Sequence, residues 1–192
     1  YNSVHVIKPR GVEEFVGLAN FRELLGADPV FWKSVGNTML WAIVAPIPDV
    51  LMGLLLALCL YAKVPLARFF RVVWFTPVLL SYVVVGIIWR WLFALDGPIN
   101  HALDAVGLGE LARPWLGDFT FAPYAVGMVG TWIEYGLCMV IFIAGAQSIN
   151  QELYDTAVVF GANMWQQFRY VTLPGLRQQI LVAFVITFIA AM

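Results

Sequence analysis

The chain has 192 residues, 61% of them hydrophobic and 12% charged, about half the charged share of about 25% usual for soluble domains. A soluble fold of this length cannot hide that much apolar surface from water, whereas a bilayer takes it up. The formal net charge of −1 excludes the broad basic face that a nucleic-acid binder carries.

Residues 1–35 hold four basic and four acidic residues and read as a polar lead-in. A bilayer's hydrocarbon core asks for about 20 mostly apolar helical residues. Segment A, from Thr38 to Tyr61, meets this, as do segment B, from Val72 to Leu95, and segment C, from Phe121 to Ala146. Segment D starts near Gln179 and reaches only Met192. Tyr1 opens the chain without a signal-peptide pattern, and Met192 falls inside an apolar run. An internal piece of a longer protein is therefore expected. Pro46, Pro48 and Pro77 lie within spans, and each removes a helix hydrogen bond. Segments A and B are expected to be kinked or locally irregular there and covered by neighbouring helices, as in a bundle. Trp32, Trp41, Trp74, Trp89, Trp91 and Trp115 cluster near span ends, where amphipathic rings favour the headgroup zone.

The loop between A and B carries Lys63, Arg68 and Arg71 and no acid. The loop between B and C carries Asp96, Asp104, Glu110 and Asp118 against Arg113. Positive loops stay in the cytoplasm, so the A–B loop is expected inside and the B–C loop outside. Alternation then puts residues 1–35 outside and 147–178 inside.

The stretch from Ser148 to Pro174 is too long and too patterned for a plain connection. Ser148 with Gln151 three residues on fits a capping box, and a first helix is expected from Asn150 to Phe160. Gly161 supplies its C-terminal stop. Asn163 caps a second helix through Leu173, which Pro174 breaks. Leu153, Tyr154, Ala157, Val158 and Phe160 form a semi-apolar surface outside the membrane. Such a surface reads as a docking knob for a partner's groove, against the plainer alternative of an amphipathic surface helix.

Asp49 in A and Glu134 in C, flanked by Trp132 and Tyr135, are carboxylates at membrane depth. Unpaired, they are costly there, so they face a bundle interior or water. Glu134 is read either as a path-lining acceptor for a hydroxyl-rich solute or as a structural partner of another helix. For Asp49, capping of the Pro-broken backbone is favoured over solute contact. Arg90 near the outer end of B can snorkel. Cys59 and Cys138 sit in apolar runs as small buried hydrophobes, and no spacing points to a metal site or disulfide framework. His5 and His101 lie far apart in external segments and read as surface residues.

Asp155-Thr156-Ala157, Gly161-Ala162, Trp165, Phe168 and Val171-Thr172-Leu173-Pro174, with the lead-in Ile149-Asn150-Gln151-Glu152-Leu153-Tyr154, resemble the cytoplasmic "EAA" loop of the membrane subunits of bacterial ABC importers. Asp155, Thr156 and Phe160 are mild departures from that pattern. Gly17-Leu18-Ala19-Asn20-Phe21, Phe31-Trp32, Asn37-Thr38, Gly53 to Leu58, Phe70-Arg71 and Gly97-Pro98-Ile99-Asn100 with Trp115-Leu116 resemble the carbohydrate-type permeases of that group.

The resemblance implies an all-α, polytopic transmembrane helix bundle of the type I importer (MetI-like) class. It would have three full spans, part of a fourth and a cytoplasmic coupling-helix loop. Residues 1–35 would be an external lead-in. Residues 36–192 would form the permease domain, including the coupling loop at 147–178. The same resemblance implies a non-enzymatic permease subunit in a bacterial inner membrane. Its partners would be a second permease subunit, two ATPase subunits and an external solute-binding protein that delivers a sugar or oligosaccharide. The chain has no Gly-x-x-x-x-Gly-Lys-Ser/Thr phosphate loop, so no cofactor of its own is expected, and ATP would be bound by the partners. Leu153, Tyr154, Asp155, Ala157, Phe160, Gly161, Ala162 and Pro174 are the expected coupling residues. Glu134, Trp132, Tyr135 and Asp49 are the candidate solute path. A permease of the same architecture for an amino acid, polyamine or phosphate is the alternative, and a membrane scaffold or membrane-embedded enzyme the remote one.

Overall fold

A computed structural model of the chain describes residues 5–8, 12–61, 65–118 and 120–191, with side chains from Phe15 onward except at Tyr61. Lys63 of the A–B loop and the side chain of His5 lie outside the described residues. Two compact units divide the chain, Tyr1–Ile43 with Met192, and Val44–Ala191.

In the first unit, β1 (His5–Lys8) pairs antiparallel with β2 (Val12–Phe15), His5 opposite Phe15 and Lys8 opposite Val12. The lead-in thus contains a short hairpin that an all-α expectation does not include. Alone, such a two-stranded pair is marginal in water. Helix α1 (Ala19–Gly26) follows. Asp28 then starts α2 (Pro29–Val44): its Oδ1 accepts from the Val30 and Phe31 amides at 2.8 and 3.3 Å. Pro29 sits in the first turn, where its missing N–H costs nothing. The helical run therefore begins well before Thr38.

Two runs are long and apolar enough to cross a membrane: Pro29–Leu60 and Ala122–Gln147. The second is α7. In the second unit, α3 (Pro46–Tyr61) carries Pro46 and Pro48 in its first turn, and the helical run is interrupted by a turn at Ala45 just before them. Segment B is not one helix. It divides into α4 (Ala67–Phe75), a 3-10 turn at Thr76–Leu79 and α5 (Tyr82–Leu92), with a 99° bend between the halves. Pro77 lacks the amide that would continue the ladder, and Leu80 turns to extended backbone with its amide on the Pro77 carbonyl at 3.1 Å. Segment D falls on α11 (Arg177–Ala190), which follows Met164–Gly175 at a bend of 65°.

Close packing of the unit depends on small residues. A Cβ added to Gly53 on α3 would run into the Cβ of Cys138 on α7. One added to Gly136 would meet the Trp74 carbonyl oxygen of α4 at 2.6 Å. These crossings follow the rule for membrane helices, where close backbone approach replaces the hydrophobic drive that lipid cannot supply. Around them Ala57, Leu60, Cys138, Met139, Phe142, Ile143 and Ala183 form the buried core. Large apolar side chains point outward instead, among them Leu51, Leu55, Val83, Ile87, Val126 and Leu181. That pattern suits lipid or partner helices. Cys138 is buried as expected, but Cys59 is exposed, because only one stripe of α3 faces α7.

The connection from α5 to α7 is folded rather than loose. Helix α6 (Pro98–Ala105) and a 3-10 turn at Gly109–Leu111 close around Asn100, which is 2% exposed. Asn100 Nδ2 donates to the carbonyls of Ala94, Leu95 and Arg113 at 3.3, 3.0 and 3.0 Å. Its Oδ1 accepts from the Arg113 amide at 3.3 Å and the Trp115 indole at 2.9 Å.

Candidate functional site

The polar groups at membrane depth gather where α3, α5 and α7 meet. Asp49 is 4% exposed in the first turn of α3. Its Oδ1 has no hydrogen-bond partner. The Tyr82 hydroxyl donates to Glu134 Oε1 at 3.0 Å. This bond ties the first turn of α5 to the middle of α7. A helix N-terminus carries partial positive charge that favours a nearby carboxylate, which helps explain how Glu134 is tolerated there. Trp132 meets Trp89 edge to face at 5.5 Å and 71°. Tyr135 is half-buried on the same helix.

Of the four residues expected along a solute path, the structure brings Asp49 and Glu134 together and sets Trp132 edge to face against Trp89 of α5. Asp49 lies in the first turn of α3, beside Pro46 and Pro48, and its Oδ1 makes no hydrogen bond. Sequence reasoning missed Tyr82 and Trp89. The available signal for Tyr82 was the Pro77 break, since interrupted membrane helices present their half-helix ends to solutes.

The segment after α7 is a knob standing off the helices. Helix α8 (Gln151–Val159) is capped by Asn150, whose side chain accepts from the Glu152 amide at 3.0 Å. Ser148 does not cap it; its hydroxyl donates back to the Gly145 carbonyl at 2.7 Å. Gly161 takes φ +76°, a left-handed conformation open to glycine and costly for other residues. Asn163 then starts α9 (Met164–Gln167) with a full capping box to Gln166, at 2.9 Å one way and 2.8 Å the other. The chain continues through a π turn at Phe168–Thr172 and α10 (Leu173–Gly175). Pro174 does not break this second helix: it sits near the start of α10, and the chain turns at Leu176, two residues on.

Two sets of side chains part company on this knob. Tyr154 and Ala157 turn inward, the Tyr154 hydroxyl bonding Thr172 Oγ1 at 2.9 Å. Leu176, 1% exposed, anchors the segment beside Gly145 of α7. Val159 and Phe160, each 84% exposed, and Met164, at 82%, form an apolar collar around Gly161 with Trp165. Leu153 and Asp155 are exposed, Ala162 is half-buried, and Pro174 lies on the return. A pocket of about 320 Å³ remains between Leu54 and Leu58 of α3, Phe142 and Ala146 of α7, and Tyr154 and Phe168 of the knob. Among the described residues there is no group of three or more His, Cys, Asp or Glu able to hold a metal ion.

Comparison with known proteins places this architecture. The chain is 36% identical to a probable ABC transporter permease protein of Pyrococcus horikoshii, over 90% of this chain and 59% of that one. It is 32% identical to the lactose transport system permease protein of Rhizobium radiobacter, over 88% and 56%. A solved bacterial alginate ABC transporter, in complex with an alginate pentasaccharide-bound periplasmic protein, matches with a TM-score of 0.79 and 26% identity, over 89% and 59%. The chain thus spans little more than half the length of these relatives. Residues 49–192 match the model of the binding-protein-dependent transport system inner membrane component. The apolar spans, the broken helices and the knob after α7 are those of a transport permease, and the chain belongs to this family of inner membrane components.

Proposed function

We propose that this chain lines the translocation path of an ATP-driven importer for a sugar or oligosaccharide and takes its mechanical drive at the 150–176 segment. The observation that carries the proposal is the apolar collar of Val159, Phe160, Met164 and Trp165 around Gly161. Water-facing turns do not spend such residues without a groove to receive them. Two partner ATPases would bind ATP and seat the collar, a second permease subunit would complete the path, and an external solute-binding protein would deliver the solute. The permease would be a multi-pass protein of a bacterial inner membrane, with residues 1–35 outside and 147–178 inside. It would bind no cofactor itself.

Motion of the ATPases would reach the spans along the inward contacts. Tyr154 to Thr172 stiffens the knob, and Leu176 against Gly145 passes the push to α7 and α11. At the other end of that lever, Glu134, Asp49 and the Tyr82 hydroxyl offer acceptors and a donor for solute hydroxyls, with indole rings beside them to cover sugar faces. The saccharide class draws support from the lactose and alginate relatives. A different solute on the same architecture is the second reading, because the delivering protein shares in the choice.

The test is Gly161→Val in the full importer reconstituted in vesicles. A β-branched residue at φ +76° costs about 1–3 kcal/mol of backbone strain, and nothing lies within 4 Å of a Cβ added there. Insertion should be normal, ATP hydrolysis should persist and uptake should fall at least about tenfold; normal uptake would remove the coupling role. Glu134→Gln, with expression checked, should lower saccharide uptake without weakening ATPase assembly. Unchanged uptake would leave Glu134 as a structural partner of Tyr82.

A further inference from the structure

Segments A, B and C carry two acids and one base: Asp49, Glu134 and Arg90. Arg90 is exposed near the C-terminal end of α5, more than two turns from the Tyr82 end that meets Glu134. The two acids are neighbours because of how α3 and α7 cross. Gly53 of α3 lies against Cys138 of α7. A turn further on, Ala57 and Phe142 line one pocket, so the two helices run in the same direction. One turn back from Gly53 and Cys138, on the same faces, stand Asp49 and Glu134. Asp49 is 4% exposed, and its Oδ1 accepts no hydrogen bond. Glu134 is half-buried and accepts from the Tyr82 hydroxyl at 3.0 Å.

A buried acceptor with nothing to accept is costly unless a ligand supplies the donor. Two carboxylates this close cannot both ionise easily, and a cation between them lets them do so. An ionised carboxylate only accepts; an ammonium group only donates, through three N–H bonds. A sugar hydroxyl donates once and brings no charge. A bare divalent metal ion would ask for about six or more oxygen ligands, and among the described residues there is no group of three or more His, Cys, Asp or Glu to supply them. The rings of Trp89 and Trp132 stand on the same two helices, 5.5 Å apart, and ring faces attract organic cations. The Trp89 indole N–H is itself buried without an acceptor. The helices α3, α5 and α7 thus leave one acceptor and one donor unanswered, the acceptor beside a second acid.

We propose that Asp49 and Glu134 form an ammonium subsite, and that the solute is a saccharide carrying a primary amine. Glu134 is the member that the solute reaches, with Tyr82 holding its carboxylate in place. Asp49 adds the second charge from behind, and the Trp89 N–H takes a hydroxyl or ring oxygen of the same molecule. The proposal rests on the path reading above and narrows its solute class.

The experiment uses the full importer in lipid nanodiscs, without nucleotide or binding protein. It follows the thermal unfolding midpoint against glucosamine, glucose and sodium chloride at neutral pH and constant ionic strength, since a ligand of the folded state raises the midpoint. Glucosamine should give a saturable rise, half-complete at a concentration about tenfold or more below that for glucose. Asp49→Asn should raise that concentration about tenfold or more. Should Asp49→Asn fail to assemble, Glu134→Gln, which keeps an acceptor for Tyr82, should do the same. No saturable response to glucosamine, as for a pair that merely shares a proton, would overturn the subsite. Equal responses to glucosamine and glucose, or to glucosamine and sodium chloride, would overturn it as well. None of these results touches the path reading, which stands or falls on uptake by Glu134→Gln. A glucosamine response lost in Glu134→Gln with uptake unchanged would overturn the assignment of the ammonium to the transported solute.

Discussion

The two connections that stand outside the spans are built in opposite ways. The 93–118 connection closes on itself: its central polar side chain, Asn100, is buried, and the Arg113 guanidinium lies over the rings of Trp115 and Phe121. The 150–176 segment is held by local caps and one inward tyrosine, and leaves its largest apolar side chains in the open. A self-satisfied connection keeps one shape with or without a partner. A segment with an unsatisfied collar is complete only when something covers it. The difference predicts that the 93–118 connection keeps its shape unaided, while the 150–176 segment gains order when its exposed side chains are covered.

Three substitutions break or sharpen that contrast. The largest expected effect is Asn100→Ala on stability. It leaves the Arg113 amide, the Trp115 indole and three carbonyls without their partner, at about 1–3 kcal/mol for each group that water cannot reach. A loss of about 3 kcal/mol or more, read as a lowered unfolding midpoint, is expected; a midpoint equal to wild type would mean the connection is not self-supporting. Phe160→Ala should do the reverse. The side chain is 84% exposed, so the midpoint should hold while ATPase binding weakens by about 2 kcal/mol, the scale of an anchoring aromatic. Pull-down at graded ATPase concentration reads this, and equal binding would show that the collar is not the anchor. The smallest effect is expected from Tyr154→Phe. It removes one hydrogen bond to Thr172, about 1 kcal/mol, and should slow uptake modestly by softening the knob. A severe loss of uptake would mean that Tyr154 touches the partner directly.

The legibility of the molecule follows the range of the interactions that build each part. Segment C ran from Phe121 to Ala146 in the sequence and runs from Ala122 to Gln147 in the structure, because apolar length alone decides a straight span. Gly161 as a stop and Asn163 as a cap were readable for the same reason: both act within a turn of themselves. The choice of Asn150 over Ser148 was not readable, since Ser148 was free to bond back into α7. The division of segment B into halves at 99° went further than the kink that Pro77 foretold. A missing amide permits a bend, and packing of α4 on Gly136 sets how large it is.

Composition and apolar run length alone fixed that the chain belongs in a membrane, and local caps fixed the form of the knob after α7. Short-range hydrogen bonding and bulk hydrophobicity need no knowledge of distant residues. Tertiary structure alone decided that Tyr82 meets Glu134 across 52 residues, that Asn100 holds Trp115, and that Gly53 lies against Cys138. Each depends on two helices or turns arriving together, and no periodicity in one stretch of sequence specifies which partner it will meet.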